Sequence, residues 1–395
     1  MPGSRPTKAP SAVFAGQGTT IFTVMSALAQ DHEAINLGQG FPDDDGPLAI
    51  RERAARALIE GPNQYPPMRG LGVLREAVAR HDKRFYGLDL DPATQVLVTS
   101  GATEALTDAF LALLDPGDEA IVFEPVYDSY RPMIERAGAK AVSVRLEPPG
   151  WALPRAALEA AFGPKTKLIV VNTPMNPCGK VFSDGELELI AGLCAAHGAY
   201  VVGDEVYEHL TFDGRRHRPL LSWPGLADRA LKIGSAGKTF ALTGWKIGYL
   251  SGAAEVIDAV ARAHQFNTFT TSPALQIAVA EALDSPASYF EQLRAELERK
   301  RDFLAAGLAR IGFRVLPSEG TYFLSCDYSG LALTGPADEV CMTLTRDARV
   351  AAIPLSAFYG DADCGPYIRF CFCKRDEVLA EALARLAAYV QHRPG

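Results

Sequence analysis

Lys238 stands in the stretch SAGKTFALTGWKIGY, Ser235 to Tyr249, directly after the apolar residues Ala230, Leu231 and Ile233. That context predicts a loop leaving a buried strand. Lysine is seldom buried without a partner, and burial favours its neutral, nucleophilic amine. This is the form that condenses with an aldehyde to a Schiff base. Taken by itself, Lys238 fits a solvated loop lysine equally well.

The other strand ends tip the balance. In an open parallel sheet, ligands bind beyond the carboxyl ends of the strands. QVLVT leads to Gly101, Ala102 and Thr103, which open a helix whose free N–H groups suit a phosphate. AIVFE leads to Tyr127 and Tyr130, and KLIVVN to NTPMNP with Asn172 and Asn176. AYVVG leads to Asp204 and Tyr207, and ALKIG to Ser235 and Lys238. Each has a plainer reading: a strand-to-helix turn at SGATEAL, a core aromatic at Tyr127, a helix cap at Asp204, a surface lysine at Lys246. NTPMNP can be a rigid loop, its X-Pro steps favouring extended backbone and admitting a cis bond. Yet a carboxylate ending an apolar strand requires a cation or a donor. Arg369, in YIRFCF, alternates with Ile368 and Phe370 and faces away from them; an arginine there usually meets a carboxylate, structural or a ligand's.

The elements that must position these residues are legible as periodicity. A helix is predicted at TVMSALAQ, another from Leu48 to about Leu58, and a third over LGVLREAVARHDKRFYG, ending at Gly87. From Thr94, strand-length apolar runs alternate with helices: Gln95–Thr99, Ala120–Glu124, Ala141–Leu146, Lys167–Asn172, Ala199–Asp204 and Ala230–Ser235, with GYLSG a further candidate. Continuous apolar strands imply burial on both faces, so the fold class is α/β, a mostly parallel sheet sandwiched by helices. A long charged helix, roughly Tyr289 to Ala309, bridges to GFRVLP, GTYFLSCD, RVAAIPLS and YIRFCFC, then a closing helix. These predict a smaller α+β domain from the C-terminal third plus the N-terminal segment. The division expected is 1–20 a disordered or extended arm, 21–50 part of the small domain, 51–290 the large domain and 291–395 the small C-terminal domain.

Composition narrows the function classes. The chain has 395 residues, 48% hydrophobic and 22% charged, with a net charge of −8. That argues against a nucleic-acid or anionic-membrane partner. No apolar window reaches membrane-span length, and MPGSRPTKAP lacks a signal core and reads as a disordered tail. Seven scattered cysteines suggest reduced core thiols in a cytoplasmic enzyme. Cys371 and Cys373 are expected on opposite faces of a strand, which excludes a thioredoxin-like pair. No histidine spacing suggests a metal site.

NLGQGFP, NQYPPMRGLGVLREA, GATEAL, PVYDSY, NTPMNP, DEVYEHL, SAGKTFALTGWKIGY and YIRFCFCKRDE together resemble a class I aminotransferase, a fold-type-I pyridoxal-phosphate (PLP) enzyme. The branch it most resembles holds kynurenine/glutamine, methionine-type and N-succinyldiaminopimelate aminotransferases. The resemblance implies that Lys238 carries PLP as a Schiff base and shuttles a proton, with Asp204 paired to the pyridinium nitrogen. It implies that Tyr207 and Asn176 bond the phenolic oxygen, that Tyr127 stacks on the ring, and that Gly101, Ala102, Thr103, Ser235 and Lys246 hold the phosphate. Tyr65 matches a tyrosine that reaches the phosphate across a homodimer interface. Arg369, with Asn176 and Gly38, would bind the substrate α-carboxylate, and Phe22 would line the side-chain pocket. Lys246 departs from the arginine many relatives carry there. No second arginine for a dicarboxylate is identifiable, so the expected donors are neutral, sulfur-containing or aromatic amino acids, with a 2-oxo acid as acceptor. The alternatives are N-succinyldiaminopimelate transamination, a cysteine-S-conjugate β-lyase activity and, more distantly, a non-catalytic ligand-binding module.

Overall fold

In a computed structural model of the chain, residues 8–9, 11–361 and 364–392 are described. Most of the expected N-terminal tail lies outside them. Within the expected arm, Ala12–Ala15 forms one helical turn rather than continuous extended chain.

The apolar runs become strands, in chain order β1 (Ile35–Asn36), β2 (Val96–Thr99), β3 (Glu119–Glu124), β4 (Lys140–Arg145), β5 (Thr166–Asn172), β6 (Tyr200–Asp204), β7 (Ala230–Ser235) and β8 (Gly248–Gly252). The C-terminal third adds β9 (Arg314–Val315), β10 (Phe323–Asp327), β11 (Val350–Ala351), β12 (Ile353–Pro354) and β13 (Tyr367–Cys371). The large sheet has the order β2-β8-β7-β6-β5-β3-β4. Its pairings are parallel except for β8, which is antiparallel to both β2 and β7. Leu168, Ile169, Val201, Val202, Leu231 and Ile233 are fully buried between helices, as a doubly covered sheet demands. The expectation of burial on both faces fails at β4. As the edge strand it leaves Lys140 and Ser143 exposed.

Helices cover the sheet where their apolar periodicity directs. Ser183 opens the helix Asp184–His197 with a capping box, its hydroxyl accepting from Glu186 N–H. Gly87 ends Gly72–Tyr86 at φ 71°, a left-handed turn that favours glycine. The long helix Ala287–Ile311 leads into a second sheet, antiparallel β12-β13-β10-β9. The N-terminal segment joins this region through the parallel β1–β11 pair, Ile35 beside Val350.

One expectation is corrected here. Residues two apart along an extended chain share a face, so Cys371, the last residue of β13, and Cys373, just beyond it, project together, their sulfurs 3.2 Å apart.

Candidate active site

At the carboxyl ends of β2, β5, β6 and β7 lies a cavity of about 190 Å³. Its wall contains Gly101, Ala102 and Thr103 on one side and Tyr127, Asn176, Asp204 and Tyr207 on another. Ser235, Lys238 and Lys246 complete it. Lys238 sits on a single helical turn, Ala236–Thr239, rather than on the expected loop. That turn follows β7 without a break, so the strand itself aims the lysine. Burial lowers the pKa of its amine below the usual lysine range, and the nearby Asp204 opposes that only in part.

Asp204 ends β6 between β5 and β7. The Tyr130 hydroxyl donates to its Oδ2, and the Asn172 side chain donates to its backbone carbonyl at 2.8 Å. Its Oδ1 is buried with no hydrogen-bond partner. Burial pushes the carboxyl up to about 6, the Tyr130 bond notwithstanding. Its neighbour Glu205 takes the opposite side of the strand, accepting from the Leu220 N–H at 3.0 Å and pairing with His217 at 2.7 Å.

The helix Gly101–Leu113 points its N-terminus into the cavity, and Gly101 has φ +77°. A Cβ on Gly101 would lie 3.0 Å from the Lys246 amine, so the glycine keeps that end open. Behind this turn the Ser100 N–H donates to Glu104. Glu104 and Asp108 flank His264 at 2.9 and 3.4 Å, and His264 Nε2 lies 3.1 Å from the Met68 carbonyl. Burial alone would lower the His264 pKa, but the two carboxylates outweigh it and raise it to about 9.

Arg369 arrives from β13 of the smaller sheet. It is 1% exposed, and its guanidinium donates to the Asn176 side-chain oxygen at 2.8 Å and to the Gly38 carbonyl at 2.7 Å. Its Nε is unpartnered, and among the described residues no carboxylate forms an ion pair with it. Burial lowers its pKa to about 10. The rings of Phe323, Phe358 and Phe22 lie 4.0, 5.2 and 5.3 Å from the guanidinium carbon. Gly38, Phe22 and Asn176 thus gather around one cation. Tyr65 does not join them. It is 84% exposed and packs against Phe269, beside a separate hollow.

Three contributors were not singled out from sequence. Tyr130 and Asn172, seen only as strand-end residues, hold Asp204 in place. Tyr322, in GTYF, packs edge-on against Tyr207, their centroids 5.1 Å apart, and donates to the Gly40 carbonyl at 2.7 Å. Its signal was an aromatic two residues after glycine, immediately before a strand.

Residues 32–386 match the model for aminotransferase class I and II. The chain belongs to that family. The aminotransferase is 46% identical over 384 residues to a Mycobacterium tuberculosis protein named probable N-succinyldiaminopimelate aminotransferase DapC, covering 94% of this chain and 96% of that one. It is 42% identical to the methionine aminotransferase of Escherichia coli, over 93% and 95% of the two chains. The solved N-succinyldiaminopimelate aminotransferase of M. tuberculosis superposes with a TM-score of 0.94 at 46% identity, covering 96% of this chain and all of that one. The protein is therefore a PLP-dependent transaminase acting on amino and 2-oxo acids. The cavity fits that cofactor: an open helix N-terminus for phosphate, an orphaned carboxylate oxygen for a ring N–H, and a buried amine. Among the described residues no helix is long and apolar enough to cross a membrane.

Proposed function

We propose that the aminotransferase transfers the amino group of an L-amino acid with a neutral, sulfur-containing or aromatic side chain to a 2-oxo acid in a ping-pong cycle. The observation that carries this is Arg369: a fully buried cation left un-neutralised by the protein and ringed by three phenylalanines. An α-carboxylate would complete the guanidinium's charge, and an apolar side chain would meet the rings.

When bound, PLP supplies an aldehyde that condenses with amines and a ring that draws electrons from the substrate Cα. Lys238, its pKa lowered by burial, would anchor it and, once displaced, take the Cα proton. The orphaned Asp204 oxygen would accept the ring N–H and hold that proton in place, with Tyr130 fixing the carboxylate's orientation. Tyr207 and Asn176 would bond the ring's phenolic oxygen, and Tyr127 would cover its face. Gly101, Ala102, Thr103, Ser235 and Lys246 would hold the phosphate. Tyr65 is assigned to the partner's cavity in a homodimer, a reading supported by its exposure together with that of Leu58, Ile59 and Phe266.

The 46% identity to the M. tuberculosis relative supports a second reading, N-succinyldiaminopimelate as the amino compound. A panel of amino donors with 2-oxoglutarate and pyruvate separates the two. The first reading expects methionine, glutamine or phenylalanine to give the highest kcat/KM; a preference for N-succinyldiaminopimelate of more than about tenfold replaces it. Borohydride reduction and peptide mapping should place the pyridoxyl label on Lys238 alone.

A further inference from the structure

Cys371 and Cys373 flank Phe372 where β13 leaves the smaller sheet. Their sulfurs, 3.2 Å apart, are held by a fixed backbone: the Cys371 N–H donates to Leu37 at 2.7 Å and the Phe372 N–H to Tyr322 at 2.9 Å. Both thiols are buried, but Cys373 borders a second cavity, of about 610 Å³, whose wall also holds Lys238, Tyr322, Asp43 and Lys300. A small solute therefore has room to reach the pair.

We propose that Cys371 and Cys373 are an oxidisable dithiol, a modification site that closes to an intramolecular disulfide and depresses transamination in the neighbouring cavity. Burial alone would raise the Cys371 thiol, but the bond from Cys373 and the nearby Lys374 ammonium bring it below the usual range, while Cys373 is pushed up. Cys371 is thus the more acidic thiol of the pair and the one we assign as nucleophile. With a hydroperoxide as oxidant, the Cys371 sulfur attacks the terminal oxygen, the O–O bond breaks, and hydroxide or alkoxide leaves. The resulting sulfenic acid is attacked by the Cys373 sulfur; the S–S bond forms, the S–O bond breaks and water departs. Two electrons pass from the two sulfurs to the peroxide.

The step reaches the catalytic cavity through geometry. A disulfide needs about 2.0 Å between sulfurs, so the pair must close by about 1 Å. The strain falls on the strand end that carries Arg369, and on the Phe372–Tyr322 bond behind the Gly40 carbonyl, which lies 3.5 Å from the Lys238 amine. A misplacement of about 1 Å at such a site can cost about a hundredfold in rate.

The test uses purified holoenzyme and hydrogen peroxide. Remaining thiols are alkylated, and trypsin, cutting after Arg369 and Lys374, releases one fragment holding both cysteines. The expected result is that this fragment escapes alkylation and is lighter by two hydrogens, while kcat/KM falls about tenfold or more. Dithiothreitol should restore both. C371S and, independently, C373S should resist the peroxide-dependent loss. Alkylation of both cysteines after oxidation, thiol loss falling instead on Cys178, Cys194, Cys326, Cys341 or Cys364, or equal loss of activity in both serine variants would overturn the proposal. The activity arm rests on the reading of Arg369 given above, whereas fragment mapping does not: a disulfide without loss of turnover faults the coupling, and its absence faults the site.

Discussion

Lys232 and Lys238 lie on and just beyond the same strand, the first fully buried and the second half-buried at the cavity wall, yet the protein treats them oppositely. Lys232 meets Asp82 at 2.9 Å and Glu208 at 2.8 Å, and these carboxylates hold its pKa well above the usual lysine range against the effect of burial. Lys238 has a single carbonyl at 3.5 Å and is driven toward its neutral form. Arg369 belongs with Lys238, since its partners are neutral oxygens and rings. The difference teaches how to tell a structural charge from a functional one. The fold completes the first itself; at the second it leaves valence for a ligand.

That contrast can be broken in four ways. Lys238→Ala should lower turnover more than about a thousandfold, because anchorage and proton transfer go together. Spectra of the lysine-bound cofactor and steady-state rates read this directly, and a variant retaining both would remove Lys238 from the chemistry. Arg369→Met should cut kcat/KM about a hundredfold or more, the scale for losing a buried charge-assisted contact with a ligand. Its urea midpoint should hold or rise, since an uncompensated cation has gone; a marked fall would move Arg369 into the structural class. Lys232→Met should do the reverse. It strands Asp82 and Glu208 and should cost about 3–5 kcal/mol in urea unfolding, and an unchanged midpoint would undo the comparison.

The smallest effect concerns His264. Its folded pKa, about 9, is raised above the ordinary 6.5. The charged form therefore stabilises fully below about pH 6.5, and that stability is lost as pH rises through about 9. The stability gap between wild type and His264→Gln should be widest near pH 6 and shrink steadily above it. A gap independent of pH would mean that the imidazolium contributes packing alone.

Much of this was legible in the sequence because strand ends are local. All seven strands of the large sheet lie within a residue or two of the apolar runs that announced them, and ten of the expected residues share one cavity wall. What escaped was tertiary. The Tyr130 bond to Asp204 and the Tyr322 bond to Gly40 join segments far apart in the chain, and no periodicity reports such pairings. The edge position of β4 depends on sheet order, which apolar content does not encode. The Cys371–Cys373 contact was misjudged for a different reason: the two-residue repeat of a pleated strand places them on the same side. Tyr65 lies outside the active-site cavity of its own chain, on an exposed face that local sequence pattern does not tie to that cavity.

Asp204 ends β6 and Glu205 follows it, and the two side chains are committed to opposite sides of the sheet. Parity alone decides which acid faces the cofactor cavity. Inserting or deleting one residue within that strand would exchange them, delivering a longer acid to the cavity and stranding the shorter one among His217 and Lys232. Length variation in this protein is therefore expected to accumulate in the connections around β6, while the strand itself tolerates substitution far better than a change in count.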